Sequence, residues 1–385
     1  MIPYGQHRIS ERDISAVVDV LRSDYLTQGP RVPAFENALC EVVGSKHCVA
    51  VNSATSALHI ACLALELGRG DILWTSPNSF VASSNCGLYC GAEVDFVDID
   101  AQTYNMCASA LETKLKLARD AGCLPKVVVP VHFAGQSCDM EAIGALAHKY
   151  GFKIIEDASH AIGARWREEM VGSCKYSDIT VFSFHPVKII TTAEGGAAVT
   201  NNAVLANRLM ELRSHGITRV KSRMVRPNEG DWYYEQVGLG YNYRITELQA
   251  ALGLTQLSEL HVFVEARQRL MRRYNQKLRD LPLVLPWQHP NSYSSCHLYV
   301  VQIKNEAPVD RRRAFDRMRA AGISVNVHYI PIHKQPYYTN LGFNFVEFPV
   351  TESYYEHTIS LPLYAHLTET DQDHVISTLG KALTV

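Results

Sequence analysis

Seven short, β-rich apolar runs separated by helix-like segments fill the chain up to about residue 250, and this alternation limits the fold more than any other feature. The runs are Cys48–Val51, Asp71–Thr75, Glu93–Asp98, Lys126–Pro130, Lys153–Glu156, Ile179–Phe184 and Gly196–Thr200. Helix-like stretches lie between them, for example Thr55–Leu67 and Ala142–Tyr150. Strands alternating with helices predict an α/β domain, a mainly parallel sheet between layers of helices.

The pattern then changes. Ile245–Leu281 is a long helical stretch, with apolar residues at Ile245, Leu248, Leu252, Leu257, Leu260 and Val264 and room for a break. Prolines at 282, 286 and 290 punctuate its end. A strand (His297–Ile303), a charged helix (Asp310–Ala321) and a second strand (Ile323–Tyr329) follow. The expected division is a large domain over 1–254, with an N-terminal arm, and a smaller α+β domain over 255–385. A chain of 385 residues fits such a division.

Charge narrows the function. Lys and Arg number 37 and Asp and Glu 39, a net charge of -2. That balance is a poor footing for general binding to nucleic acid or an anionic membrane. No uninterrupted apolar run is long enough for a membrane span. The first residues lack a basic region followed by an apolar run, so no secretory signal is expected. Ten cysteines are scattered without a C-x-x-C pair. They read as reduced thiols of a cytoplasmic protein, with no zinc site. His328 and His333 have no third ligand nearby, so no metal is expected.

Several cofactor and hydrolase motifs are missing. There is no G-x-G-x-x-G after a first strand, no P-loop and no G-x-S-x-G elbow. Three other segments carry chemistry. Val49–His59 reads as a strand, a small polar turn and a helix whose first amides face an anion, or else as simple capping by Ser53 or Thr55. Lys153–Ala161 runs an apolar strand into Glu156, Asp157 and His160. Asp157 is a site carboxylate, or else a helix cap or the anion of a strand-end salt bridge. Phe182–Gly196 leads an apolar strand to Lys188. A lysine in apolar surroundings loses its proton readily, as Schiff-base chemistry needs, although most lysines only snorkel. Taken together the three fit pyridoxal phosphate: Lys188 as its covalent anchor, Asp157 opposite the ring nitrogen, and the Ser53-Ala54-Thr55 turn under the phosphate. Phe80 supplies a flat surface.

The motifs Asn52–Leu58, Glu156–Ala161, Ser183–Lys188 with Thr191–Gly196, Arg213–Gly216 and Gly240–Gln249 resemble the DegT/DnrJ/StrS sugar-nucleotide aminotransferases. The likeness runs over essentially the whole chain and implies the fold-type-I architecture of pyridoxal phosphate enzymes. Finer matches at Leu26–Gly29, Trp74–Phe80, Val131–Gly135, Trp232–Glu235 and Val327–Pro331 are similar to a branch that uses L-glutamate. That branch aminates C4 of a UDP-linked 4-keto-6-deoxy-N-acetylhexosamine, a step of pseudaminic acid biosynthesis. The resemblance implies Lys188 as Schiff-base lysine and proton shuttle, Asp157 at the pyridinium and His160 beside the cofactor. Ala54, Thr55 and Ser183 are implied as phosphate ligands and Phe80 as the stacking group, with Ser159 close by. Asn242 is implied to reach the phosphate of the neighbouring subunit, hence a homodimer with shared sites. Tyr4, Leu26, Thr27, His328 and Tyr329 are implied sugar-nucleotide contacts, and Arg244 is a candidate for a carboxylate or diphosphate. Relatives that remove a sugar hydroxyl carry histidine in place of the lysine; Lys188 favours transamination. A non-catalytic member would be expected to lack Lys188 or Asp157, and a rival reading keeps the cofactor but changes the ketosugar to a dTDP sugar or a C3 ketone.

Overall fold

The computed structural model describes residues 1–384. All seven expected strands form and join in one sheet: β1 (His47–Val51), β2 (Ile72–Thr75), β3 (Glu93–Phe96), β4 (Val127–Val129), β5 (Lys153–Asp157), β6 (Ile179–Ser183) and β7 (Gly196–Thr200). Their spatial order is β1-β7-β6-β5-β4-β2-β3. Pairing is parallel from β6 through β5, β4 and β2 to β3. Only β7 runs the other way, antiparallel to β1 and β6. The fold is α/β with a mainly parallel sheet, as expected.

The strands are continuous apolar runs because both faces of the sheet are covered. Val127 and Val129 enter one core with the helices Ala54–Ala64 and Ala203–Arg213, whereas Val128 points into the opposite core. Ile155 and Ile154, and Val181 and Phe182, part in the same way. Such alternation places every second residue on each face, so a polar side chain within a strand needs a buried partner, as Glu156 and Thr180 have in each other.

A second, antiparallel sheet joins β8 (Leu283–Val284), β9 (Tyr299–Ile303) and β10 (Thr358–Leu361) in that order. The long helical stretch is two helices, Glu247–Ser258 and Leu260–Leu278, parted at Glu259. The second of them serves both units. Leu260, Phe263 and Val264 pack in a core of the large sheet; Leu270, Met271, Tyr274 and Leu278 pack in that of the small sheet. Residue 254 lies inside the first helix.

One expectation fails. Ile323–Tyr329 is not a strand; it makes only isolated bridges, Ile323 to Ile2 and Asn326 to Ser360. Asn326, Val327, His328 and Tyr329 all line the same cavity, which the two-sided alternation of a strand forbids.

Candidate active site

The parallel strands end at a cavity of about 440 Å³, a size suited to a cofactor and small substrate. β5 brings Asp157, β6 brings Ser183, and the turn after β6 brings Lys188. Phe80 comes from the loop after β2, and Tyr4, His328 and Tyr329 close the opposite wall. Ligands gather at this edge of α/β sheets because the loops there are free to diverge.

At one end of the cavity β1 turns into the helix Ala54–Ala64. Ser53 caps it by accepting from the Ser56 amide at 3.1 Å, and its hydroxyl lies 2.9 Å from that of Ser56. The cap occupies the third amide and leaves those of Ala54 and Thr55, with the Thr55 hydroxyl, free of protein partners among the described residues. Capping by Ser53 therefore holds, and the turn keeps two amides that an anion could take. Unpaired amides at a helix start are a cup for a phosphate. Gly196 packs directly beneath: a Cβ there would lie 2.5 Å from the Ala54 nitrogen, so the cup requires glycine at that position.

Of the two adjacent carboxylates only Asp157 faces the cavity. Glu156 turns to the other side of the strand, 2.7 Å from His132 Nε2 and 3.0 Å from the Thr180 hydroxyl. Asp157 is 4% exposed. The Ser83 hydroxyl donates to it at 2.6 Å and the Ser159 amide at 3.1 Å. Ser83 is in turn 2.7 Å from the Ser79 hydroxyl. All these donors are neutral. A buried carboxylate without a paired cation suits a ligand that brings one, such as a protonated ring nitrogen.

Lys188 lies in the cavity wall. Burial lowers its ammonium from the ordinary lysine value to about 8, with Asp157 opposing the shift. Half of the amines are then neutral near pH 8, so the nucleophilic form is available at mild pH. The rate at which the apoprotein captures pyridoxal phosphate, followed by absorbance, is expected to rise with pH to a midpoint near 8. A midpoint in the range of a free lysine would contradict this environment.

His160 is 5% exposed and fixed on both ring nitrogens. Nδ1 accepts from the Ala134 amide at 3.3 Å, and Nε2 lies 3.1 Å from the Tyr329 hydroxyl. Burial, with Lys188 beside it, drives the ring's pKa well down. It is therefore neutral, with its hydrogen on Nε2 directed at the Tyr329 oxygen. His328 is likewise held neutral at about 3 by burial and Lys188, and its Nδ1 is 2.7 Å from the Ser360 hydroxyl.

Ala54, Thr55, Phe80, Asp157, Ser159, His160, Ser183, Lys188, Tyr4, His328 and Tyr329 thus all line one cavity. Leu26, Thr27, Asn242 and Arg244 do not. Leu26 and Asn242 are exposed, as is Thr27, and the Arg244 guanidinium is 3.0 Å from the Ser214 hydroxyl. Sequence reasoning missed Ser83, Ser79 and His297. The pair Ser79/Ser83 at a helix start is a faint local signal; His297 has none.

The description "DegT/DnrJ/EryC1/StrS aminotransferase family" matches residues 7–380. The spore coat polysaccharide biosynthesis protein SpsC of Bacillus subtilis is 38% identical, over 97% of this chain and 95% of that protein. The UDP-4-amino-4,6-dideoxy-N-acetyl-beta-L-altrosamine transaminase of Campylobacter jejuni is 37% identical, over 100% of this chain and 98% of its own length. Among solved structures, Helicobacter pylori PseC, an aminotransferase of pseudaminic acid biosynthesis, superposes with a TM-score of 0.90 at 33% identity, covering 99% of each chain. With likeness of sequence and of structure reaching from one end to the other, the chain belongs to the DegT/DnrJ/EryC1/StrS aminotransferase family.

Proposed function

We propose that this enzyme moves the amino group of L-glutamate to C4 of UDP-2-acetamido-2,6-dideoxy-β-L-arabino-hexos-4-ulose, a step of pseudaminic acid biosynthesis. The observation that carries this reading is the full-length similarity to the Campylobacter transaminase, joined to a cavity that fits pyridoxal phosphate. The SpsC likeness keeps a second reading open, transamination of another nucleotide-linked ketosugar.

The cofactor, bound there, supplies an electron sink that makes the hydrogen beside the amino group acidic. Ala54 and Thr55, with Ser183, hold its phosphate, and Asp157 compensates the positive ring nitrogen. Phe80 would stack on the ring, with His160 beside it and Ser159 close to its lysine side. Lys188, whose amine burial holds near neutrality, would serve as the base and acid that moves the donor's α-hydrogen. The same residues act in reverse on the ketosugar, so the two substrates alternate in one site and the kinetics are ping-pong. Tyr4, His328 and Tyr329 line the sugar side. Leu26 and Thr27 are further sugar-nucleotide contacts, and Arg244 takes a carboxylate or the diphosphate.

That assembly is a homodimer in which Asn242 reaches the neighbour's phosphate cup. Its support is the exposed apolar surface just before Asn242: Val225, Trp232 and Leu239 are 86%, 77% and 79% exposed. Large apolar side chains left uncovered in one segment are what a partner subunit would cover. We further propose the division into a large domain (1–254) and a small one (255–385), and a cytoplasmic location. Among the described residues no helix is long and apolar enough to cross a membrane.

The test is a spectrum of the pyridoxal phosphate-loaded protein, with its mass in solution. Loss of the long-wavelength band on adding L-glutamate, its return with the UDP-4-ketosugar, and twice the chain mass of 43.0 kDa are expected. A band indifferent to glutamate would remove the donor. Return only with a dTDP sugar or a C3 ketone would remove the acceptor.

A further inference from the structure

One polar ring in the cavity wall has no role in the proposed amino transfer. His297 precedes β9 and is 4% exposed. Its backbone is pinned on both sides: the amide donates to the Ala134 carbonyl at 2.8 Å, and the carbonyl accepts from Arg267 Nη1 at 3.1 Å. Arg267 is buried, makes no ion pair among the described residues, and also donates to the Leu363 carbonyl at 2.9 Å. A shift of this segment would strand a buried guanidinium, so the ring is held where it stands. It lies 4.4 Å from the ring of His160.

The two histidines differ in one respect. His160 is satisfied on both nitrogens. The His297 imidazole has no hydrogen-bond partner among the described residues, and its Nδ1 is buried from all solvent. A hydrogen on Nδ1 would be a buried donor without an acceptor, the costlier of the two arrangements. The hydrogen therefore sits on Nε2, the nitrogen left to the cavity. Burial, with His160, Lys188, Arg267 and His328 around it, keeps the ring uncharged. A single neutral donor suits a neutral oxygen; a carboxylate draws a cation or a fork of donors.

We propose that His297 is a sugar-recognition residue whose Nε2–H donates to a neutral oxygen of the hexosamine, a ring hydroxyl or the acetamido carbonyl, and takes no part in holding glutamate. The inference rests on the reading of a ketosugar as amino acceptor.

The test measures the two half-reactions separately in the loaded enzyme, with His297→Phe and His297→Asn. Phenylalanine keeps a ring against His160 and loses the donor; asparagine restores a donor. The acceptor used is whichever nucleotide ketosugar the wild type takes, so rejection of the UDP sugar by the wild type counts against the acceptor reading and not against His297. For His297→Phe the glutamate half-reaction is expected to stay within about twofold, while kcat/KM for the ketosugar falls about tenfold or more, the scale of one lost hydrogen bond to a bound ligand. The calorimetric Kd of the UDP-linked aminosugar product is expected to weaken to a similar extent, and His297→Asn to recover part of both. Equal losses in the two half-reactions would make His297 a prop for His160 and overturn the proposal. So would an unchanged ketosugar half-reaction.

Discussion

Replacing Lys188 with alanine is expected to lower amino transfer by about ten-thousand-fold or more, since one side chain supplies both the anchor and the moving proton. The fold is expected to survive. The turn around Lys188 is held by its own amide, which donates to the His185 carbonyl at 2.9 Å and is kept by alanine. Removing the ammonium also leaves Asp157 with its hydrogen-bond donors inside the cavity, because Ser83 and the Ser159 amide still hold it. Turnover with glutamate and the ketosugar, alongside circular dichroism and the mass in solution, checks both halves of this statement. Wild-type-like turnover would refute the assignment of Lys188, and loss of the folded signal would refute the claim that its role is chemical.

Asp157→Asn is expected to cost about 100- to 1,000-fold in turnover, the range seen when one fixed electrostatic partner of a reacting group is removed. The substitution changes charge and almost nothing else. The Ser159 amide keeps its acceptor at Oδ1. Ser83 loses the anion at 2.6 Å, but its hydroxyl can rotate toward Ser79 at 2.7 Å and accept from the new amide instead. Without the negative charge the ring nitrogen gives up its proton and the electron sink weakens. The expected signature is a change in the pH dependence of the bound cofactor's absorption together with the loss in rate. Normal turnover with an unaltered spectrum would remove Asp157 from the reaction.

Much of this was legible because the large sheet is buried on both faces. Val127, Val128 and Val129 read as one apolar run because the first and third fill one core and the second fills the other. The same burial drives polar residues to the strand ends, which is why Asp157, Ser183 and the Ser53–Thr55 turn stand out. Lys188 stood out for its apolar neighbours. What stayed hidden depends on contacts distant in sequence. Ser83 meets Asp157 across 74 residues, and its pairing with Ser79 at a helix start is only a faint local sign of that contact. His297 reads as one more residue at the start of a strand. The segment 323–329 misled for a local reason: Ile323 and Val325 alternate into the core at 0% and 2% exposure, as a strand would, before the next four residues all turn to the cavity. Leu26, Thr27, Asn242 and Arg244 lie outside the cavity of a single protomer, so the cavity gives no sign of the roles proposed for them.

The helix Leu260–Leu278 bears on how the molecule comes apart. It contributes Leu260, Phe263 and Val264 to one core and Leu270 through Leu278 to the other. Opening either core must fray this helix or strip apolar side chains from it. Its interior hydrogen bonds cannot be given up on one side without weakening the other. The two units therefore share one structural member, so a loss of helix on either side is felt in both cores.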